Sequence, residues 1–469
     1  MAQKYLDIPL YILFEFLTIS ELIELTKVER YLKNEVFHKV VNREIFIEDK
    51  HSGLYYMKIF NNVKLILHCN NKMTDFDLMS LKNLYKLDLS YNNLITNQGI
   101  INLGPHGKKL TELCLRQNKN ITDEALAYVT NLTQFVIGEN KNITTGGLAH
   151  LKTLKNLYIE ANKNHLEFQP EHYENLRTLG AFFNPYITDK IIARMTNLIS
   201  LRASITITND GLSNLTNLRE LELKHNLNIT DDAFGPLSKL SKLTLWGTVM
   251  LSDKGLSKLL SLRDLNIYNN NKITSAGIFP LTTLRELGLS GNFLIDDAAL
   301  KNLNQLRLLS LIGNNIITDA GISHLTNLCY LNLANDQKIT NVPLHTLTNL
   351  SLLNLCEHPN ITDDGLINLT KLKILNLHSN NLITDKGIAT LINLISIDLT
   401  ENIKITNFGL KQLENLEWLN LVSNYNITIE GLLHLTKLKG IHASGNGFNC
   451  LIKKGIKITV AQCIIRTMN

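Results

Sequence analysis

LKILNLHSNNLITDKGIATLINL, residues 372–394, contains two physical patterns joined by a turn, and together they decide the fold. Leu375 and Leu377 are two apart, so in an extended chain they point to one side while Asn376 points to the other, which predicts a short strand. Asn380 then leaves the strand, and its amide can satisfy turn backbone groups that would otherwise be buried without partners. Thr384 and Asp385 stand where a helix N-cap belongs, and Ile388, Leu391 and Leu394 follow at three-residue spacing, laying an apolar stripe along a helical turn. That turn packs onto the strand.

The phrase returns every 22 residues from Leu218 to Leu438 and persists backward through Leu198, Leu176, Leu154, Leu132, Leu110 and Leu84 to a weak start near Asn62. Self-similarity at such a period predicts a solenoid, because one unit cannot bury its own leucines and must stack on its neighbours. Each buried Leu or Ile contributes roughly 1.5–3 kcal/mol. About 17 units are expected over residues 62–446, followed by a C-terminal cap, 447–469, in which alternating Ile456, Ile458 and Val460 suggest a closing strand.

The phrase resembles the leucine-rich repeat. Its Ile-Thr-Asp-x-Gly-Leu half is similar to the cysteine-containing, F-box-associated subtype, shortened and with Asn in the polar turn, as at Asn226, Asn292, Asn314 and Asn424. The resemblance implies an α/β solenoid, curved, with a parallel sheet on its concave face.

Residues 1–45 read as short amphipathic helices, with Leu13, Phe14 and Leu17 in one apolar patch, Leu22, Leu25 and Val28 in another, and Ser20 placed to cap. The order Ile8-Pro9, Ile12-Leu13, Phe16-Leu17, Glu21-Leu22, Leu25, Val28 and Leu32 resembles the F-box, although Pro9 lies close to Leu17 and Glu29 stands where that family often has Cys or Ser. The resemblance implies that Ile8, Pro9, Leu13, Leu17, Leu22, Leu25 and Val28 bind a Skp-type adaptor and through it a cullin ubiquitin ligase, the repeats holding a protein substrate. The alternative is that these helices only cap the first coil of an interaction scaffold, with residues 46–61 as the connection.

Composition limits the other possibilities. With 44% apolar and 19% charged residues the chain is an ordered protein, and a formal charge of +5, with Lys and Arg scattered, points to neither nucleic acid nor an anionic membrane as partner. Asp7 flanks and Glu15 interrupts the apolar stretch 8–17, and no small-residue cleavage site follows, which argues against a secretory signal, and no run is long enough to span a bilayer. Six scattered cysteines without C-x-x-C pairs suit a reducing compartment, so the expected location is intracellular, cytoplasmic or nuclear. The Asn-, Ile- and Lys-rich composition hints at an AT-rich genome, such as that of an intracellular parasite, bacterium or large virus, with the host cell cytoplasm as the location for a parasite or virus.

A binding patch is expected on the free face of the strands. The position after the second inward-facing strand residue holds Phe182, Lys224, Trp246 and Tyr268, with Arg202 two places earlier in a shortened unit. At about 4.8 Å per strand, Phe182 to Tyr268 would span about 19 Å, and clustered aromatics and Arg are the usual material of binding hot spots. The repeat is least regular in this part of the chain: Gly104-Pro105-His106-Gly107 is inserted, Phe168-Gln169-Pro170 replaces the Thr-Asp-x-Gly phrase, and Leu198 to Leu218 is a step of 20. The neighbouring free-face asparagines, Asn332, Asn354 and Asn376 among them, are expected to play a structural part instead.

No phosphate loop, nucleophile elbow or zinc-protease motif occurs, and no His falls at i+3 or i+4 from a second metal ligand on a helix. The expectation is therefore a non-enzyme without cofactor or metal, its histidines solvated and not converging with Cys or carboxylate at ligand spacing.

Overall fold

The computed structural model describes residues 44–47, 64–68, 73–444 apart from 80, 82, 83, 165, 169, 248 and 249, and 457–461. The F-box-like stretch with Ile8, Pro9, Leu13, Leu17, Leu22, Leu25 and Val28 lies outside the described residues. Two compact units divide the chain, Met1–Leu218 and Arg219–Asn469.

In the first unit, strands Glu44–Ile47, Lys64–His68, Leu84–Asp88, Glu112–Cys114, Gln134–Val136, Asn156–Tyr158, Thr178–Gly180 and Ser200–Ala203 pair in parallel in chain order. In the second, parallel pairing runs in chain order from Glu220–Lys224 through Gly440–Ser444 to Lys457–Ala461. The register in the second unit steps by one repeat, so Leu243 faces Leu265 and Leu353 faces Leu375. Like residues therefore stack on like.

The core follows the apolar pattern. Leu375 and Leu377 from the strand and Ile388, Leu391 and Leu394 from the helical side are all buried. A parallel strand needs a long return connection, and here it is the turn plus one short helix, such as Asp385–Ile388.

Within each unit the polar turns form a ladder. Asn380 Oδ1 accepts from the backbone N–H groups of Leu382 and Ile383 at 3.1 and 3.2 Å, while its Nδ2 donates to the carbonyl of His358 one coil earlier at 3.2 Å. Asn118, Asn140, Asn402 and Asn424 repeat this arrangement, and all are buried. Each amide thus satisfies buried backbone groups in its own coil and in its neighbour.

The residue before each rung has a left-handed backbone. Twelve non-glycine residues among those described, including Ala161 and Glu357, have φ between 50 and 60°, and Gly247, Gly291 and Gly313 fill the same place with φ from 60 to 68°. Side chains pay steric strain there that glycine does not.

The Thr-Asp-x-Gly phrase works between coils. Thr384 is an extended N-cap whose Oγ1 accepts from Lys386 N–H at 3.3 Å. Asp363, one coil earlier, accepts from Thr384 N–H and Oγ1, both at 2.7 Å. A Cβ on Gly387 would collide with the same carboxylate, so the glycine is where one coil makes room for the aspartate of the last.

The irregular coil after Leu154 replaces this device with apolar packing. Phe168 meets the His172 ring edge-on at 6.1 Å, and the His172 Nε2 lies 3.1 Å from the Leu151 carbonyl. Its helix begins at Pro170, a residue suited to the first turn.

Candidate binding face

On the side of each strand away from the core, residues two apart form rows across successive coils. The middle row is structural, as the sequence predicts. Asn354 Oδ1 accepts from Cys356 N–H at 3.0 Å and Asn376 Oδ1 from His378 N–H at 2.9 Å, each side chain bending back to hold the end of its own strand. Asn420 Nδ2 also reaches Asp398 in the neighbouring strand at 3.0 Å.

The expected patch falls in two units. In the second unit, register places Lys224 beside Trp246 and Trp246 beside Tyr268. The indole and phenol rings stack with centroids 3.8 Å apart and planes 8° from parallel, and Lys224 Nζ lies 5.6 Å from the indole centroid. Next to the stack, Lys242 pairs with Asp264 at 2.5 Å, and Asp264 accepts from Asn266 Nδ2 at 2.7 Å. Burial, then the Asp264 and Glu222 carboxylates, push the Tyr268 hydroxyl above its ordinary pKa, so it stays a hydrogen-bond donor. Trp246 Nε1 is buried and has no hydrogen-bond partner, an uncommon state for an indole.

In the first unit, Phe182 lies against Phe183 at 6.4 Å, and Arg202 sits beside Gly180 in register. Arg202 lies 3.7 Å from Glu160 and 5.9 Å from the Tyr158 centroid, while Arg116 approaches the other Glu160 oxygen at 3.1 Å. Two glycines allow this. A Cβ on Gly180 would strike the Tyr158 ring, and one on Gly138 would press on the Glu160 carbonyl and Arg116. Sequence reasoning missed Arg116, Tyr158 and Glu160. The signal was present in Gly138 and Gly180, small residues at strand-face positions where a neighbouring side chain can lie flat.

Two expectations about histidine are corrected. His358 is buried, occupying an asparagine rung, where its Nδ1 accepts from the N–H groups of Asn360 and Ile361 at 3.3 Å. The ladder geometry accepts any side chain that offers an acceptor at that point, and burial lowers the His358 pKa to about 4. Nor do the histidines all stay apart from cysteine and carboxylate. The repeat register brings the possible ligand atoms of Cys356, Glu357 and His378 within 4.8 Å of one another. The 22-residue separation of Cys356 and His378 was the sign that a search along helices alone overlooks.

No family model matches the chain, and no curated protein does. Among solved structures, it is similar to the TLR13–ssRNA13 complex with a TM-score of 0.52 and 19% identity, covering 82% of this chain and 70% of that one. A leucine-rich-repeat protein of Leptospira interrogans matches at TM-score 0.40 and 23% identity over 88% of this chain and 99% of that one. An internalin from Listeria monocytogenes matches at TM-score 0.37 and 25% identity over 74% and 88%. The fold is an α/β leucine-rich-repeat solenoid, and the first of these likenesses supports it. Among the described residues, no helix is long and apolar enough to cross a membrane.

Proposed function

We propose that this chain is a protein-binding receptor that carries out no turnover and holds a protein partner on the free face of its strands. The observation that supports this most is the Trp246–Tyr268 stack, two large rings fixed face to face beside Lys224 on the face away from the core. Pre-ordered aromatics bind at little entropic cost, and truncating such an anchor commonly costs at least about 2 kcal/mol of affinity. A phosphate backbone suits this surface poorly, because Glu222 and Asp264 lie near Tyr268 and Glu220 and Glu286 near Lys242. The test is to capture partners from cell extract, identify them by mass spectrometry, and titrate the purified partner with wild type and a Trp246→Ala/Tyr268→Ala variant. A drop of roughly 30-fold or more, the equivalent of about 2 kcal/mol, is expected. Unchanged affinity rejects this face as the binding site.

A finer reading makes the partner a substrate and the chain the receptor of a Skp/cullin/F-box-type ubiquitin ligase, inside a cell. It is supported by the order Leu17, Leu22, Val28 and Leu32 ahead of the repeats. Co-purification with a eukaryotic Skp-type adaptor, lost on Leu17→Asp or Leu22→Asp, is the expected result. Wild-type protein that never retains the adaptor leaves the scaffold reading, in which residues 1–45 only cap the first coil.

A further inference from the structure

We propose that Cys356, Glu357 and His378 form a binding site for a divalent transition-metal ion of the zinc class. One thiol sulfur, one carboxylate oxygen and one imidazole nitrogen lie within 4.8 Å of one another. In a tetrahedral site with bonds of about 2.0–2.3 Å, ligand atoms sit about 3.3–3.8 Å apart, so rotations of these side chains of about 1 Å close the cluster around an ion.

The backbones that carry the ligands are already held. Cys356 and His378 N–H groups are bonded to Asn354 and Asn376, and those asparagines are register partners in adjacent parallel strands. Glu357 N–H donates to the His378 carbonyl at 2.9 Å, tying the second ligand directly to the third. A site built on a fixed ladder loses little freedom when the ion arrives.

The donor set selects the ion. Thiolate and imidazole favour borderline metals such as Zn2+ over Mg2+ and Ca2+, which prefer oxygen. The charges of a thiolate and a carboxylate balance a divalent ion. Three protein ligands leave a fourth position for water or for a donor from a bound partner. Cys356 and His378 are both partly exposed, so an ion can enter from the strand face.

Titration of the full chain with Co2+ under reducing conditions tests this, since a thiolate ligand gives a charge-transfer band in the near ultraviolet. One ion per chain and a band abolished in Cys356→Ser are expected, with binding at least tenfold weaker in His378→Ala and Glu357→Gln. Cys329→Ser, at an exposed cysteine in another row, should bind as wild type does. Circular dichroism of each metal-free variant separates loss of the site from loss of the fold. No band with wild type, or a band that survives in folded Cys356→Ser, overturns the proposal.

Discussion

The Asp385 carboxylate accepts two hydrogen bonds from Thr406 of the following coil, from the N–H and from Oγ1, both at 2.7 Å. This contact joins the helix start at Asp385 to the equivalent turn 21 residues later in sequence, and it explains why Thr, Asp and Gly recur together. Asn407 does the same to Thr428, accepting from its N–H at 2.8 Å and donating to its Oγ1 at 2.8 Å. Asp385→Asn should therefore change stability by less than about 0.5 kcal/mol, whereas Asp385→Ala should cost about 1–3 kcal/mol by leaving the Thr406 N–H without its acceptor. Urea denaturation of both variants checks this, and equal losses would refute the contact as the reason for the motif.

Glycine and alanine should exchange roles at two kinds of position. Gly387 lies in a helix, where alanine is ordinarily the better residue, yet Gly387→Ala should destabilise by about 1–3 kcal/mol because the added methyl meets Asp363. Ala161 has φ 50°, so Ala161→Gly should stabilise by up to about 1 kcal/mol. Thermal denaturation reads both signs.

Asp336 stands where other coils have asparagine, with Oδ1 accepting from Lys338 and Ile339 N–H and Oδ2 buried without a partner. Burial raises its pKa, with a smaller push from Asp319, against the pull of the two N–H groups. The folded state therefore holds this proton more tightly than the unfolded chain does. The stability it contributes is present below the unfolded value near pH 4 and is lost as pH rises through the folded value. Asp336→Asn should thus be more stable than wild type at about pH 7, by about 1–3 kcal/mol, and the gain should shrink toward about pH 4. A gain independent of pH would contradict this account.

His172 works in the opposite direction. Burial lowers its pKa, so its contribution is present above the unfolded value near 6.5 and fades as pH falls through the folded value. The protection of first-unit amides, with exchange corrected for its intrinsic pH dependence, should fall on acidification from about pH 7 to about pH 5, and His172→Gln should lessen the change. Identical pH dependence in the two proteins would remove His172 as the cause.

What the sequence made legible was whatever repeats. Leucines at fixed spacing give strand, turn and helix, and Asn380 could be read as a satisfier of turn backbone before its partners were visible. Contacts between coils were harder to see: Thr384 and Asp385 are neighbours when written down, but in space Asp385 binds Thr406 of the next phrase and Thr384 binds Asp363 of the one before. The same blindness hid Cys356 and His378, and it hid Arg116, Tyr158 and Glu160, whose positions depend on space left by Gly138 and Gly180. The reading of His358 as solvated failed because residue type was weighed over phase, and its phase is that of the buried rung.

The most direct test places a photo-crosslinking phenylalanine derivative at Tyr268 or at Phe279, an exposed residue on the helical side of the same coil. With the partner recovered by affinity capture, the account predicts crosslinks from position 268 to that partner and none from 279. Crosslinks from 279 with none from 268 would place the partner on the helical side and contradict the strand face as the working surface.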